Sequence, residues 1–160
     1  MFEIRPGETR LDNDPAITAK DASLIFIGQV RSAWTKRANC PKNMRQARER
    51  GKTAKIVIDQ PFREGLSGLE VDSAIILLTW LGHAPRDLIV QKPRHAETPK
   101  GTFALRSPAR PNPIGLHVVR LCSIEPEAGV LIIDAIDVLD ETPLLDIKPW
   151  FATTDVHPEE

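Results

Sequence analysis

The chain has 160 residues, 41% of them hydrophobic, with 21 Lys+Arg against 22 Asp+Glu and a formal net charge of −1. That length and apolar content suit one domain with its own core and exclude a disordered polyelectrolyte. No apolar run approaches the roughly 18 residues of a membrane span. The near-neutral total hides a division. Residues 31–55 carry nine basic side chains and one acid, residues 86–110 six and two, and residues 120–160 ten acids against Arg120 and Lys148. Such asymmetry suits a polyanionic partner, and equally suits two solvated faces that aid solubility or meet each other.

In chain order, residues 1–21 are rich in charge, Pro and Thr without a sustained period, and read as an N-terminal arm. Leu24–Val30 suits a short strand, Asn43–Arg50 two helical turns, and Lys55–Ile58 a second strand. The turn chemistry of Gly65–Glu70 leads into Ala74–Leu81, an apolar run whose length, Ile75, Ile76 and Thr79 favour a buried strand. Leu88–Gln91, Gly101–Leu105, Leu116–Ile124 and Val130–Ile136 are further strands. Helical stripes do not recur between them, so the expected fold class is mainly β, a small barrel or sandwich with short helices. Six prolines between Pro85 and Pro113 make that part rigid extended loop.

Cys40 and Cys122 form no CxxC pair, and His83, His95, His117 and His157 show no ligand spacing. No metal site is therefore expected, and each histidine reads as a surface or loop residue. The polar start shows no signal peptide, which suggests a reduced, cytoplasmic protein without a membrane anchor.

Two segments carry chemistry. In Gly101–Leu116, GTFALRSPARPNPIGL, Arg106, Ser107, Arg110 and Asn112 are interleaved with prolines. Restricted backbone lowers the entropy lost on holding a ligand, and guanidinium groups grip carboxylates or phosphates through paired hydrogen bonds. In Asp134–Trp150, DAIDVLDETPLLDIKPW, Asp134, Asp137, Asp140 and Asp146 lie among apolar residues. Such carboxylates are able to hold Mg²⁺ or Ca²⁺, or to accept hydrogen bonds from a ribose, an amine or the arginine loop.

Together with IGQVRS at Ile27–Ser32 and EGLSGLE at Glu64–Glu70, these strings resemble the TsaA-like (TrmO, YaeB-like) family over residues 24–151. The resemblance implies a small single-sheet β-barrel with long Pro-rich loops over residues 22–152, followed by a tail at 153–160. It implies S-adenosyl-L-methionine as cofactor, and methyl transfer to N6 of N6-threonylcarbamoyladenosine at position 37 of the tRNA anticodon loop. A homodimer is implied as well.

Matched motif by motif, the resemblance assigns the cofactor to Arg106, Leu116 and the stretch Asp134, Ala135, Ile136, Asp137. It adds the loop of Pro41, Asn43 and Met44, and the pair Gly82-His83, where the family's histidine falls on Gly82. In-line methyl transfer gains much from orientation alone. Asp137, then Asp146, are the candidate bases for the amine proton, and Arg110 or Lys148 would bind the threonyl carboxylate or a phosphate. The chain departs from the family pattern at Val71–Ile76 and at Glu141, and ends soon after DIKPW without the longer bacterial members' extra domain. A non-enzymatic S-adenosylmethionine-binding module and a small-molecule methyltransferase are the alternatives.

Overall fold

Short runs of aliphatic and β-branched residues between Gly, Pro and Asp turns build a strand-dominated chain. The computed structural model describes residues 4–93 and 96–158. Its strands are β1 (Thr9–Arg10), β2 (Gly28–Arg31), β3 (Ala54–Ile58), β4 (Ala74–Trp80), β5 (Leu88–Gln91), β6 (Lys100–Gly101), β7 (Ile114–Glu125), β8 (Val130–Ile133) and β9 (Pro143–Pro149). The helices are short: α1 (Pro15–Thr18), α2 (Met44–Glu49) and α3 (Ala152–Asp155), with 3₁₀ turns at Gln60–Leu66 and Thr102–Ala104.

Two compact units divide the chain, Ile25–Trp80 with Leu116–Glu160, and Met1–Leu24 with Leu81–Gly115. The first holds a closed barrel in the order β2-β3-β8-β7-β4-β9. Its inward side chains alternate with outward ones, as the pleat dictates. Ile75 and Leu77 of β4, Val119 and Leu121 of β7, and Ile56 and Ile58 of β3 are almost completely buried. The expected single-sheet β-barrel is the fold observed. The second unit holds a small sheet in the order β1-β5-β6 and the proline-rich loop.

Most expected strands lie within a residue or two of their places, with four differences. Leu24–Phe26 precedes β2 as exposed non-strand chain, while Ile27 is half-buried and donates its amide to the Leu144 carbonyl at 2.9 Å. Gly101–Leu105 leaves the small sheet after Gly101 and coils into the 3₁₀ turn, where the buried Thr102 hydroxyl donates to the Leu88 carbonyl at 2.8 Å. β8 ends at Ile133, three residues before its expected end, since the Asp134 amide turns to the Arg120 carbonyl. β9 was hidden in a segment whose carboxylates drew attention from its Pro143–Pro149 strand character. His95 lies outside the described residues.

β2 closes the barrel, pairing with β3 on one side and β9 on the other. Gly28 makes that seam possible: a Cβ there would sit 2.1 Å from the Val57 carbonyl oxygen. Gly28→Ala should lower stability by about 3 kcal/mol through this backbone clash, read as a reduced urea midpoint with an unchanged denaturant slope.

Candidate functional site

Antiparallel pairing gathers the ends of β2, β4 and β8 and the starts of β3, β7 and β9 at one mouth of the barrel. Period-2 alternation in β7 turns Gly115, His117, Val119 and Leu121 inward. His117 is therefore buried, at 5% exposure, and not the surface or loop residue its sequence context suggested. Its ring bridges two partners. Nε2 lies 2.9 Å from the hydroxyl of fully buried Thr79, and Nδ1 lies 2.7 Å from Oδ1 of Asp137. In a neutral ring one nitrogen donates and the other accepts, so Nδ1–H on the carboxylate and a Thr79 hydroxyl donating to Nε2 satisfy all three groups.

The segment after β8 seals this mouth. Ala135, Ile136 and Val138 are buried, and Trp34 Nε1 donates to the Ile136 carbonyl at 2.8 Å. The Arg50 guanidinium covers the Trp34 ring, 5.2 Å from its centroid. Cys40 Sγ donates to the Asp137 carbonyl at 3.4 Å. Asp134 and Asp137, three residues apart, have different surroundings. Asp134 has both oxygens engaged, Oδ2 pairing with Arg48 at 3.3 Å and Oδ1 accepting the Arg120 amide at 2.8 Å. Asp137 has Oδ1 on His117, its side chain keeps 16% exposure, and Oδ2 has no partner among the described residues.

Pro41, Asn43 and Met44 belong to the same unit as this mouth. Asn43 caps α2, its Oδ1 accepting the Gln46 amide at 2.9 Å, while Pro41 is buried and Met44 half-buried. Leu116 follows the inward Gly115 and is exposed. Asp146 and Lys148 are not gathered with Asp137. Their cross-strand partners Leu78 and Ile76 alternate with inward Leu77 and Ile75, so both project from the outer wall. There they pair with each other at 2.8 Å, and the hydrogen bond from Lys148 to Asp146 raises the ammonium above lysine's ordinary value.

In the other unit the arginine loop is braced from within. Arg110 donates through Nε to the Ser107 carbonyl at 2.8 Å and through Nη2 to the carbonyls of Thr102 and Leu105. Buried Gln91 donates to Thr102 Oγ1 and to the Ala109 carbonyl. Arg86 donates to the Pro111 carbonyl at 2.6 Å. Arg110, expected to grip a ligand, thus braces the loop through Nε and Nη2, and Arg106 of the same loop is exposed. Gly82 and His83 sit in the exposed turn after Leu81. Among the described residues no group of His, Cys, Asp and Glu is arranged to hold a metal.

The residues that sequence reasoning missed are Thr79, His117 and Trp34. Inward alternation along β4 and β7 was the available signal for the first two; the apolar Leu116 and Val118 beside His117 obscured it.

Comparison with known proteins agrees with this architecture. The family model of the tRNA-methyltransferase O N-terminal domain matches residues 29–156. The chain is 39% identical over 129 residues to a probable S-adenosyl-L-methionine-binding protein, VirR, of Rhizobium radiobacter, covering 81% of this chain and 71% of that protein. It is 33% identical over 147 residues to a tRNA (adenine(37)-N6)-methyltransferase of Mus musculus, covering 88% of this chain but 33% of the relative. A crystal structure of TrmO superposes with a TM-score of 0.71 at 34% identity, covering 88% of this chain and 62% of that one.

Burial, with the negative charge of Asp137, pushes the Cys40 thiol up to about 11. Its raised value favours the thiol in the folded state, so this contribution to stability holds below the ordinary cysteine value of 9.0 and is lost as pH rises toward 11. At pH 7.5 Cys40 should resist iodoacetamide in the native protein and react on unfolding, read by peptide mass spectrometry. Prompt native labelling would contradict its burial.

Proposed function

Because this chain belongs to the tRNA-methyltransferase O N-terminal-domain family, we propose that it binds S-adenosyl-L-methionine and methylates N6 of adenosine in tRNA. N6-threonylcarbamoyladenosine at position 37 of the anticodon loop is the substrate in this reading. The observation that carries it is Asp137, a carboxylate with one oxygen fixed and one open at the barrel mouth, within the matched region. An adenosine offers amine and hydroxyl donors to such an oxygen, so the residues present fit the cofactor. S-adenosylmethionine supplies an electrophilic methyl group on a sulfonium.

The chain's own residues then orient and move a proton. The Ala135–Asp137 backbone, pinned by Trp34 and Cys40, would hold the adenosine part. Asp137 is the favoured acceptor for the amine proton, since Asp146 is held by Lys148 on the outer wall. On their motif matches, Leu116 and the Pro41–Met44 loop serve the cofactor within the barrel unit, and Arg106 and Gly82-His83 are the matched cofactor residues of the other unit. Lys148, exposed on the outer wall beside Asp146, serves an RNA phosphate, and the free edge of Arg110 is the candidate for the threonyl carboxylate.

Exposed Lys36, Arg37, Lys42, Lys52 and Lys55, for which no ion pair is found among the described residues, supply charge for the RNA backbone. In this reading, which follows the family resemblance, the protein acts as a cytoplasmic homodimer. No helix among the described residues is long and apolar enough to cross a membrane. A second reading, a binding module without turnover, draws on VirR, a relative named for binding alone.

Calorimetry with S-adenosylmethionine and mass spectrometry of nucleosides from a reaction with tRNA separate the two. Binding with a mass gain of one methyl on N6-threonylcarbamoyladenosine is expected; binding with an unchanged nucleoside profile would leave the module reading. Arg106→Ala should weaken cofactor binding about tenfold or more, as a charge-assisted contact is lost, with melting temperature unchanged.

A further inference from the structure

An imidazole inside a β-barrel is an expensive choice unless both ring nitrogens are satisfied. The neighbouring inward positions of β7 are Val119 and Leu121, at 1% and 0% exposure, and an aliphatic residue at 117 would suit that wall. His117 instead spans from Thr79 on β4 to Asp137 beyond β8, with contacts of 2.9 and 2.7 Å. The chain runs in one direction, from a sealed hydroxyl to a carboxylate with residual exposure.

We propose that Thr79 and His117 are positioning residues that set the orientation of the Asp137 carboxylate toward the bound adenosine compound, an inference that rests on the functional reading above. The Asp137 carboxylate, which only accepts, keeps the ring proton on Nδ1, and the Thr79 hydroxyl turns to donate to Nε2 and holds the ring in place. Nδ1–H in turn holds Oδ1 and fixes the carboxylate plane, so Oδ2 is the oxygen presented to the ligand. Hydroxyls both donate and accept. When N6 gains the methyl carbon and the sulfonium loses it, the amine proton passes to Oδ2 while the Thr79–His117–Asp137 contacts remain in place. Water removes that proton through the exposed edge of Asp137.

Two measurements test this. Nitrogen-15 NMR of imidazole-labelled protein should show His117 as the Nδ1–H tautomer; an Nε2–H tautomer overturns the proposal, whether or not the protein methylates anything. Calorimetric titration with S-adenosylmethionine should show Thr79→Val weakening binding about 3- to 10-fold, the scale of one hydrogen bond, and Thr79→Ser restoring it. His117→Gln should weaken binding in the wild-type background and have no further effect on top of Asp137→Asn, because all of its influence passes through that carboxylate.

Full affinity in folded Thr79→Val, or an undiminished His117→Gln effect in the Asp137→Asn background, overturns the proposal. Melting temperatures accompany each variant, and if His117→Gln fails to fold, the Thr79 pair decides. If wild-type protein does not bind S-adenosylmethionine, the functional reading falls. The His117 tautomer and the carbon-13 shift of the Asp137 carboxylate in Thr79→Val, expected to move, then decide the positioning separately.

Discussion

Closure of the barrel through β2 is the constraint on which the candidate site depends. β2 is four residues long, yet it completes the ring by pairing with both β3 and β9. A six-strand ring leaves little interior, so inward positions must be filled by side chains. Closure also fixes which strand ends meet. Thr79 near the end of β4, His117 near the start of β7 and Asp137 beyond β8 are 38 and 20 residues apart along the chain, yet they meet at one mouth. Local sequence does not create that meeting; the register of the ladders does.

The charge division has a partly internal use. Arg48 of the basic stretch goes to Asp134 and Arg31 to Asp140 and Glu141, while Arg50 covers Trp34. Within this unit the basic segment and the acidic segment therefore meet each other, so part of the positive charge is balanced locally. What is left over is unevenly placed. The lysines and Arg37 of residues 36–55 remain exposed, so the segment can be internally bonded and still present a positive surface.

Much of the fold was legible because its strands obey period-2 rules. Ala74–Trp80 and Leu88–Gln91 were read nearly to the residue, and the two helical turns expected over Asn43–Arg50 contain α2. The site was less legible, for a physical reason. Family matching selects Asp137 but says nothing of what supports it, and His117 sits in an apolar run where Leu116 and Val118, pointing the other way, mask the alternation. Arg110 shows the converse difficulty. Its sequence setting advertises a ligand grip, whereas the carbonyls of a proline-rich loop, poor in amide partners of its own, claim the guanidinium first.

The contrast between Asp134 and Asp137 carries the argument from fold to chemistry. Both follow β8, and either carboxylate type would suit an adenosine. Asp134 receives a guanidinium and a backbone amide, an arrangement that ties Arg48 and Arg120 to the rim. Asp137 receives one imidazole nitrogen and nothing further among the described residues. Asp134 therefore has both oxygens engaged in structure, whereas Asp137 keeps one whole oxygen, with its two acceptor positions, for a ligand. An imidazole can hold one carboxylate oxygen without competing for the other, which a forked guanidinium readily does. A histidine brace, itself fixed by a buried threonine, thus secures the acid while leaving it open to a ligand. That is a physical reason for a polar chain to occupy the inside of an otherwise aliphatic barrel.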